Sequence, residues 1–161
     1  MPTINFEQYP YIGQTNPRFG CIPVNIENVL KYFNENNYNE RFLLEFYAKN
    51  NIPLSFDQAL PYLENLLPHF EFIFKKREDF EGSTDIMVKY LKENIDKKTP
   101  VLVSFEAGGG AHIRTLIEYN KTDLIFFDPG DCQKKRFNCS NDQFKNALRI
   151  DYHTLVIKPR K

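Results

Sequence analysis

Apolar residues recur at helical spacing from Pro23 onward, with Ile26, Val29, Leu30 and Phe33 on one face. They predict a helix running to about Asn36, where the run Asn34-Glu35-Asn36-Asn37 stops it. Phe42, Leu43, Phe46 and Tyr47 predict a second helix from Asn39 to Lys49, broken by Ile52-Pro53-Leu54. Ser55 stands as the cap of a third segment carried by Phe56, Leu60, Leu63 and Leu67, in which Pro61 is expected to kink the helix or delay its start. Glu71 to Lys76 reads as a short strand, and residues 3 to 9 alternate weakly enough for another. Ser83 then caps a helix whose buried face is Ile86, Met87, Tyr90, Leu91 and Ile95. After Pro100 the period changes from helical to alternating. Val101–Phe105, His112–Tyr119, Leu124–Asp128, Lys134–Phe137 and Thr154–Lys158 predict strands, with a short helix near Asp142 to Leu148.

Helices first and a mostly antiparallel sheet second is the segregated layout of an α+β fold. At 161 residues the chain fits a single domain over 1–161, with a helical half of about 1–99 and a sheet half of about 100–161. Aromatic residues make up 15% of the sequence, all Phe and Tyr, which suits a dense core and argues against disorder. Lys+Arg and Asp+Glu are both 21, so bulk electrostatics selects no nucleic-acid partner. The first residues lack the basic and apolar regions of a signal peptide, and no run of apolar residues reaches the roughly 18 that a membrane span needs. These features predict a soluble, cytoplasmic protein with no membrane partner. Three cysteines, an odd number, leave at least one thiol unpaired.

The chemistry begins in the loop from Gly13 to Val24, which delivers Cys21 to the start of the first helix. Unpaired N–H groups and the positive end of the helix dipole favour an anion there, and a nucleophilic thiolate is such an anion. A second stretch, Gly108-Gly109-Gly110-Ala111-His112, brings a histidine to the first residues of a strand. That strand turns at Asn120-Lys121-Thr122 and returns through Leu124 to Asp128, so antiparallel pairing puts His112 opposite Asp128 or within a residue or two of it. A carboxylate beside an imidazole fixes its tautomer and leaves the other nitrogen for a thiol. Gln14, on the loop that carries Cys21, has an amide suited to a developing oxyanion.

Gln14 with Cys21-Ile22-Pro23 before a long helix, Pro100-Val101-Leu102-Val103 leading to Gly110-Ala111-His112, and Phe127-Asp128-Pro129-Gly130 together resemble the papain-like cysteine peptidases, within them the bacteriocin-processing, double-glycine peptidase-like branch. The resemblance implies a papain-like α+β fold, Cys21 as nucleophile, His112 as general base and acid, Asp128 as orienter and Gln14 as oxyanion donor. It implies hydrolysis of an amide through an acyl-enzyme without metal or cofactor, and a peptide or small acyl compound as substrate. Ile22 stands where that family usually has glycine, and the interval from Gln14 to Cys21 is one residue longer than usual. A β-branched side chain there is expected to narrow the cleft or displace the loop. Ile22 keeps a second reading open, a degenerate scaffold that binds a peptide or protein, and the same triad would serve an acyltransferase. A zinc site drawn from Cys21, His112, Cys132, Cys139 and His153 is disfavoured by the wide spacing of Cys132 and Cys139.

Overall fold

The computed structural model describes residues 3–4, 7–108 and 110–161. Four helices precede most of the sheet: α1 (Cys21–Tyr32), α2 (Glu40–Lys49), α3 (Phe56–Leu66) and, after strand β1 (Phe70–Lys75) and a 3-10 turn at Arg77–Phe80, α4 (Thr84–Asp96). Strands β2 (Val101–Ala107), β3 (Gly110–Tyr119), β4 (Asp123–Asp128) and β5 (Gln133–Asn138) follow, then the short helix α5 (Gln143–Ala147) and β6 (Thr154–Pro159). All pairings are antiparallel, in the order β1-β6-β2-β3-β4-β5. The fold is α+β, as the periodicities predict, and β1 from the helical half lies in the same sheet as the later strands.

Period-2 alternation divides the apolar residues between the two faces of this sheet. Leu102, Ile113, Leu155 and Ile157 join Ile22, Ile26 and Val29 of α1 and Leu63 of α3 in one cluster. Val101, Val103, Phe105, Phe126 and Val156 join Met87, Leu91 and Ile95 of α4 and Phe144 of α5 in the other. Helix α1 is the central helix: all but two of its residues are buried, and it packs on β3 and β6. A cysteine at its first turn is thereby fixed against the strand that carries the histidine.

Several local expectations differ from what forms. Helix α1 ends at Tyr32 rather than near Asn36, because Asn34 takes φ 68° and turns the chain. Pro61 neither delays nor splits α3; it sits inside the helix, leaving the Asp57 carbonyl without its usual donor. Ser55 is the N-cap residue of α3, yet its side chain makes no capping bond. By contrast, the hydroxyl of Ser83 accepts from Ile86 N at 3.2 Å and caps α4 as expected. Ile86 itself lies outside the buried face, 39% exposed, while Met87, Leu91 and Ile95 fill it. Of the weak strand at residues 3 to 9, Thr3 forms one bridge to Glu118 and residues 7 to 9 form a turn; residues 5 and 6 lie outside the described residues, as does Gly109 of the glycine run. Among the described residues, no helix is long and apolar enough to cross a membrane.

Candidate active site

Cys21 is the first residue of α1, with Gly20 as its N-cap. The loop before it is held by a buried carboxylate. Glu40, at the start of α2, accepts Thr15 N at 2.8 Å and Asn16 N at 2.9 Å, and its own N–H donates to Glu27 of α1 at 2.7 Å. Gly20 sits so close to this carboxylate that a Cβ would lie 2.1 Å from Glu40 Oε2 and 2.6 Å from the Asn16 carbonyl. Only glycine lets the chain enter α1 along this path. Farther up the loop, Asn28 of α1 accepts from Ile12 N at 2.8 Å and donates to Ile12 O at 2.9 Å, so the segment leading to Gln14 is pinned to the same helix.

His112 comes from β3 and Asp128 from the end of β4. Thr115 pairs with Phe127, and a bulge between Leu116 and Glu118 shifts the remainder of the ladder. Continuing the register one step places Asp128 across from Arg114, diagonal to His112 on the same face, within the residue or two that the hairpin pattern allows. The diagonal is bridged: His112 Nε2 and Asp128 Oδ1 are 2.7 Å apart. Arg114 Nε donates to the other carboxylate oxygen at 2.8 Å, and Gly130 N donates to Oδ1 at 2.8 Å. The Arg114 guanidinium is itself braced, 4.7 Å from the centre of the Phe105 ring. Burial pushes the Asp128 carboxyl up, but His112, Arg114 and the Gly130 N–H outweigh it and hold the group well below the usual carboxylate range. The bond to Asp128, followed by interaction with the Cys21 thiol, pushes His112 up to about 9 against the opposing effect of burial.

With Nε2 committed to Asp128, Nδ1 is the ring nitrogen left for the thiol. Asn25, one turn after Cys21 and wholly buried, ties helix to strand. Its Nδ2 donates to the carbonyls of Cys21 at 2.6 Å and Ile113 at 3.0 Å, and its Oδ1 accepts from Thr115 Oγ1 at 2.6 Å. The helix that carries Cys21 and the strand that carries His112 are thus joined next to both side chains.

Gln14 is brought to the same place, its N–H donating to Pro129 O at 2.9 Å beside Asp128. Its side-chain nitrogen donates to Asn16 O at 3.0 Å, and its Oε1 is buried without a hydrogen bond. One amide hydrogen remains for another acceptor. Ile22 is buried and forms a wall of an adjoining pocket of about 200 Å³. The remaining cysteines are unbridged. Cys139 donates to Thr122 O at 3.1 Å, and a Cβ built on Gly13 would meet the Cys132 sulfur at 2.3 Å. His69 is exposed, and Arg18 is an exposed loop residue lying over Phe19. Among the described residues, no three His, Cys, Asp or Glu side chains group as a metal site would require.

Sequence reasoning missed Asn25, Arg114 and Glu40. Arg114 was readable in principle, since it follows His112 by two on one strand face. Asn25 and Glu40 carry a fainter signal, polar residues on helix faces that are otherwise buried.

The arrangement has relatives among known folds. The peptidase domain of Streptococcus ComA, a bi-functional ABC transporter, superposes with a TM-score of 0.60 at 16% identity, over 92% of this chain and 97% of that one. A C39-like peptidase from Bacillus anthracis superposes with a TM-score of 0.67 at 13% identity over the full length of both chains. At such identities these likenesses concern the fold. A search of curated proteins finds no match. The family scan matches residues 6–155, nearly the whole chain, and that span takes in Gln14, Cys21, His112 and Asp128. The chain belongs to the Peptidase_C39 like family.

Proposed function

We propose that the protein is a thiol hydrolase that cleaves an amide bond of a peptide, or a related acyl bond, through an acyl-enzyme on Cys21. The observations that carry this reading are the His112 ring, fixed at 2.7 Å by Asp128, and the Cys21 thiol at the start of α1, which is among the groups that raise that ring's pKa. In the first step the Cys21 sulfur bonds to the substrate carbonyl carbon, and His112 delivers its proton to the departing amine as the C–N bond breaks. Water then attacks the thioester. His112 takes a proton from that water, the C–S bond breaks, and the acid product leaves. Asp128 stays ionised throughout and keeps the ring oriented. The oxyanion is received by the Cys21 N–H and the remaining amide hydrogen of Gln14.

Turnover of a peptide pool in ¹⁸O-water tests the reading. Hydrolysis on Cys21 gives new C-termini that carry one heavy oxygen, and Cys21→Ser lacks them. New amide bonds without the label would assign the chain to acyl transfer instead. Peptides that bind but remain intact in the wild type would make it a binding scaffold.

A further inference from the structure

The sheet ends on β1 and β5, each of which pairs with a strand on one side only, and the two edges differ in how they would meet a further strand. An open edge offers unpaired N–H and C=O groups to any other chain, and charge of one sign along it is a guard against such pairing. β5 has that guard, since Lys134, Lys135 and Arg136 follow one another along it. β1 reads Phe-Glu-Phe-Ile-Phe-Lys, and all its residues but Phe70 are partly exposed. Its charges, Glu71 and Lys75, are of opposite sign. The ladder fixes which of its groups are open. Arg160 N donates to His69 O at 2.8 Å, and Phe70 lies across from Pro159. By alternation, the main-chain groups of Glu71, Ile73 and Lys75 face β6, while those of Phe72 and Phe74 face outward. Among the described residues, nothing bonds to these outward groups.

A second β1, laid antiparallel with Ile73 on a two-fold axis, completes this edge. Phe72 then exchanges N–H···O=C bonds with Phe74 of the second copy, and symmetry repeats the exchange, so every outward group of the two residues is paired. Glu71 stands opposite Lys75 of the second copy on one face, with Cβ atoms about 5 Å apart, and the pair recurs across the axis. Ile73 meets its own copy on that face, and the Phe72 and Phe74 rings meet on the other. In the single chain Glu71 is 3.8 Å from Lys158, and Lys75 is 4.8 Å from the centre of the Tyr90 ring. Both are solvent-accessible contacts of small worth, so neither holds its charge back from a better partner. Sliding one copy by two residues sets a charge against Ile73 and loses both Glu71–Lys75 pairs, so the charges select one register.

We propose that β1 is the interface of a homodimer in which two copies of this chain join their sheets edge to edge across a two-fold axis at Ile73. The contact is one strand wide, so the dimer exchanges with monomer instead of being permanent. Sedimentation velocity from about 1 µM to about 1 mM protein should show the 19.0 kDa chain giving way to a species of twice that mass. Glu71→Lys and Lys75→Glu should each weaken the dimer at least about tenfold, because like charges then face each other at both ends of the contact. The double variant restores opposite charges and should recover wild-type association. Ile73→Cys alters neither charge and reports the same register: facing Cα atoms of such a pair lie about 4.5 Å apart, within disulfide reach. Mild oxidation should therefore link two copies through residue 73, identified as the cross-linked peptide by mass spectrometry. A monomer throughout the range, a dimer indifferent to the single reversals, a double variant no better than the singles, or the absence of the residue 73 cross-link overturns the proposal.

Discussion

Asp128 reaches His112 across a diagonal of the β3–β4 hairpin, with Nε2 and Oδ1 2.7 Å apart, although one step beyond the Thr115–Phe127 pair the residue opposite it is Arg114. The carboxylate therefore serves two cationic partners, one oxygen each. One of them is a candidate catalytic base. The other is stacked on an aromatic ring and locks the carboxylate in place.

Removing Arg114 should loosen that lock without touching the histidine. In Arg114→Met one buried, charge-assisted bond to Asp128 is lost, costing about 1–3 kcal/mol at neutral pH by urea unfolding. Asp128 is depressed in the folded state, so its contribution is present above its ordinary value of 3.8 and is lost as pH falls through its lower folded value. The gap between wild type and variant should accordingly narrow below about pH 4. A constant gap at all pH values would show that Arg114 acts through packing alone.

His112 gives the opposite sign. Its folded value, about 9, lies above its ordinary 6.5, so its contribution to stability is complete below 6.5 and is lost as pH rises through 9. The urea midpoint should fall across that window in the wild type and stay level in His112→Gln. The rate of hydrolysis should decline as pH rises through about 9, since deprotonated His112 has no proton for the leaving amine. Asp128→Asn should move the limb to lower pH, because the first of the interactions that raise His112 is then gone.

Asn25 ties the helix that carries Cys21 to the strand that carries His112 through main-chain carbonyls and Thr115. Asn25→Ala leaves the Thr115 hydroxyl and the Cys21 and Ile113 carbonyls short of partners inside the core. A loss of about 2–4 kcal/mol in stability is expected for several unmet bonds in one buried site. The rate should drop in a fully folded sample at low temperature, since helix α1 is no longer tied to β3. Unchanged turnover there would remove Asn25 from the account.

The carboxylate of Glu40 plays the same part for the loop. In Glu40→Gln the two loop N–H groups at Thr15 and Asn16 share a neutral amide, which can accept only at its oxygen. A loss of about 1–3 kcal/mol is expected, together with faster proteolysis between Gly13 and Gly20. Protection of that loop equal to the wild type would contradict this role.

The hairpin, the glycine-led histidine strand and the cysteine at a helix start were legible because each depends on local period and turn chemistry. The register was legible only to within two residues, since the bulge at Leu116 to Glu118 leaves no mark in the alternation of a strand whose residues 115 to 117 are all buried. The bonds of Asn25 and Glu40 span 90 and 25 residues at their farthest, and no local pattern encodes a partner at that distance. Ser55 shows the reverse failure. Its position marks a helix start correctly, but its hydroxyl makes no bond there and instead belongs to a pocket wall formed with residues near 150.

Activation of Cys21 by His112 is tested by the alkylation rates of the three cysteines in one sample, with and without His112. Iodoacetamide is expected to modify Cys21 at neutral pH at least about a hundredfold faster than Cys132 and Cys139, and His112→Ala to remove most of this advantage. Equal rates at all three thiols, or a fast Cys21 that is indifferent to His112, would contradict it.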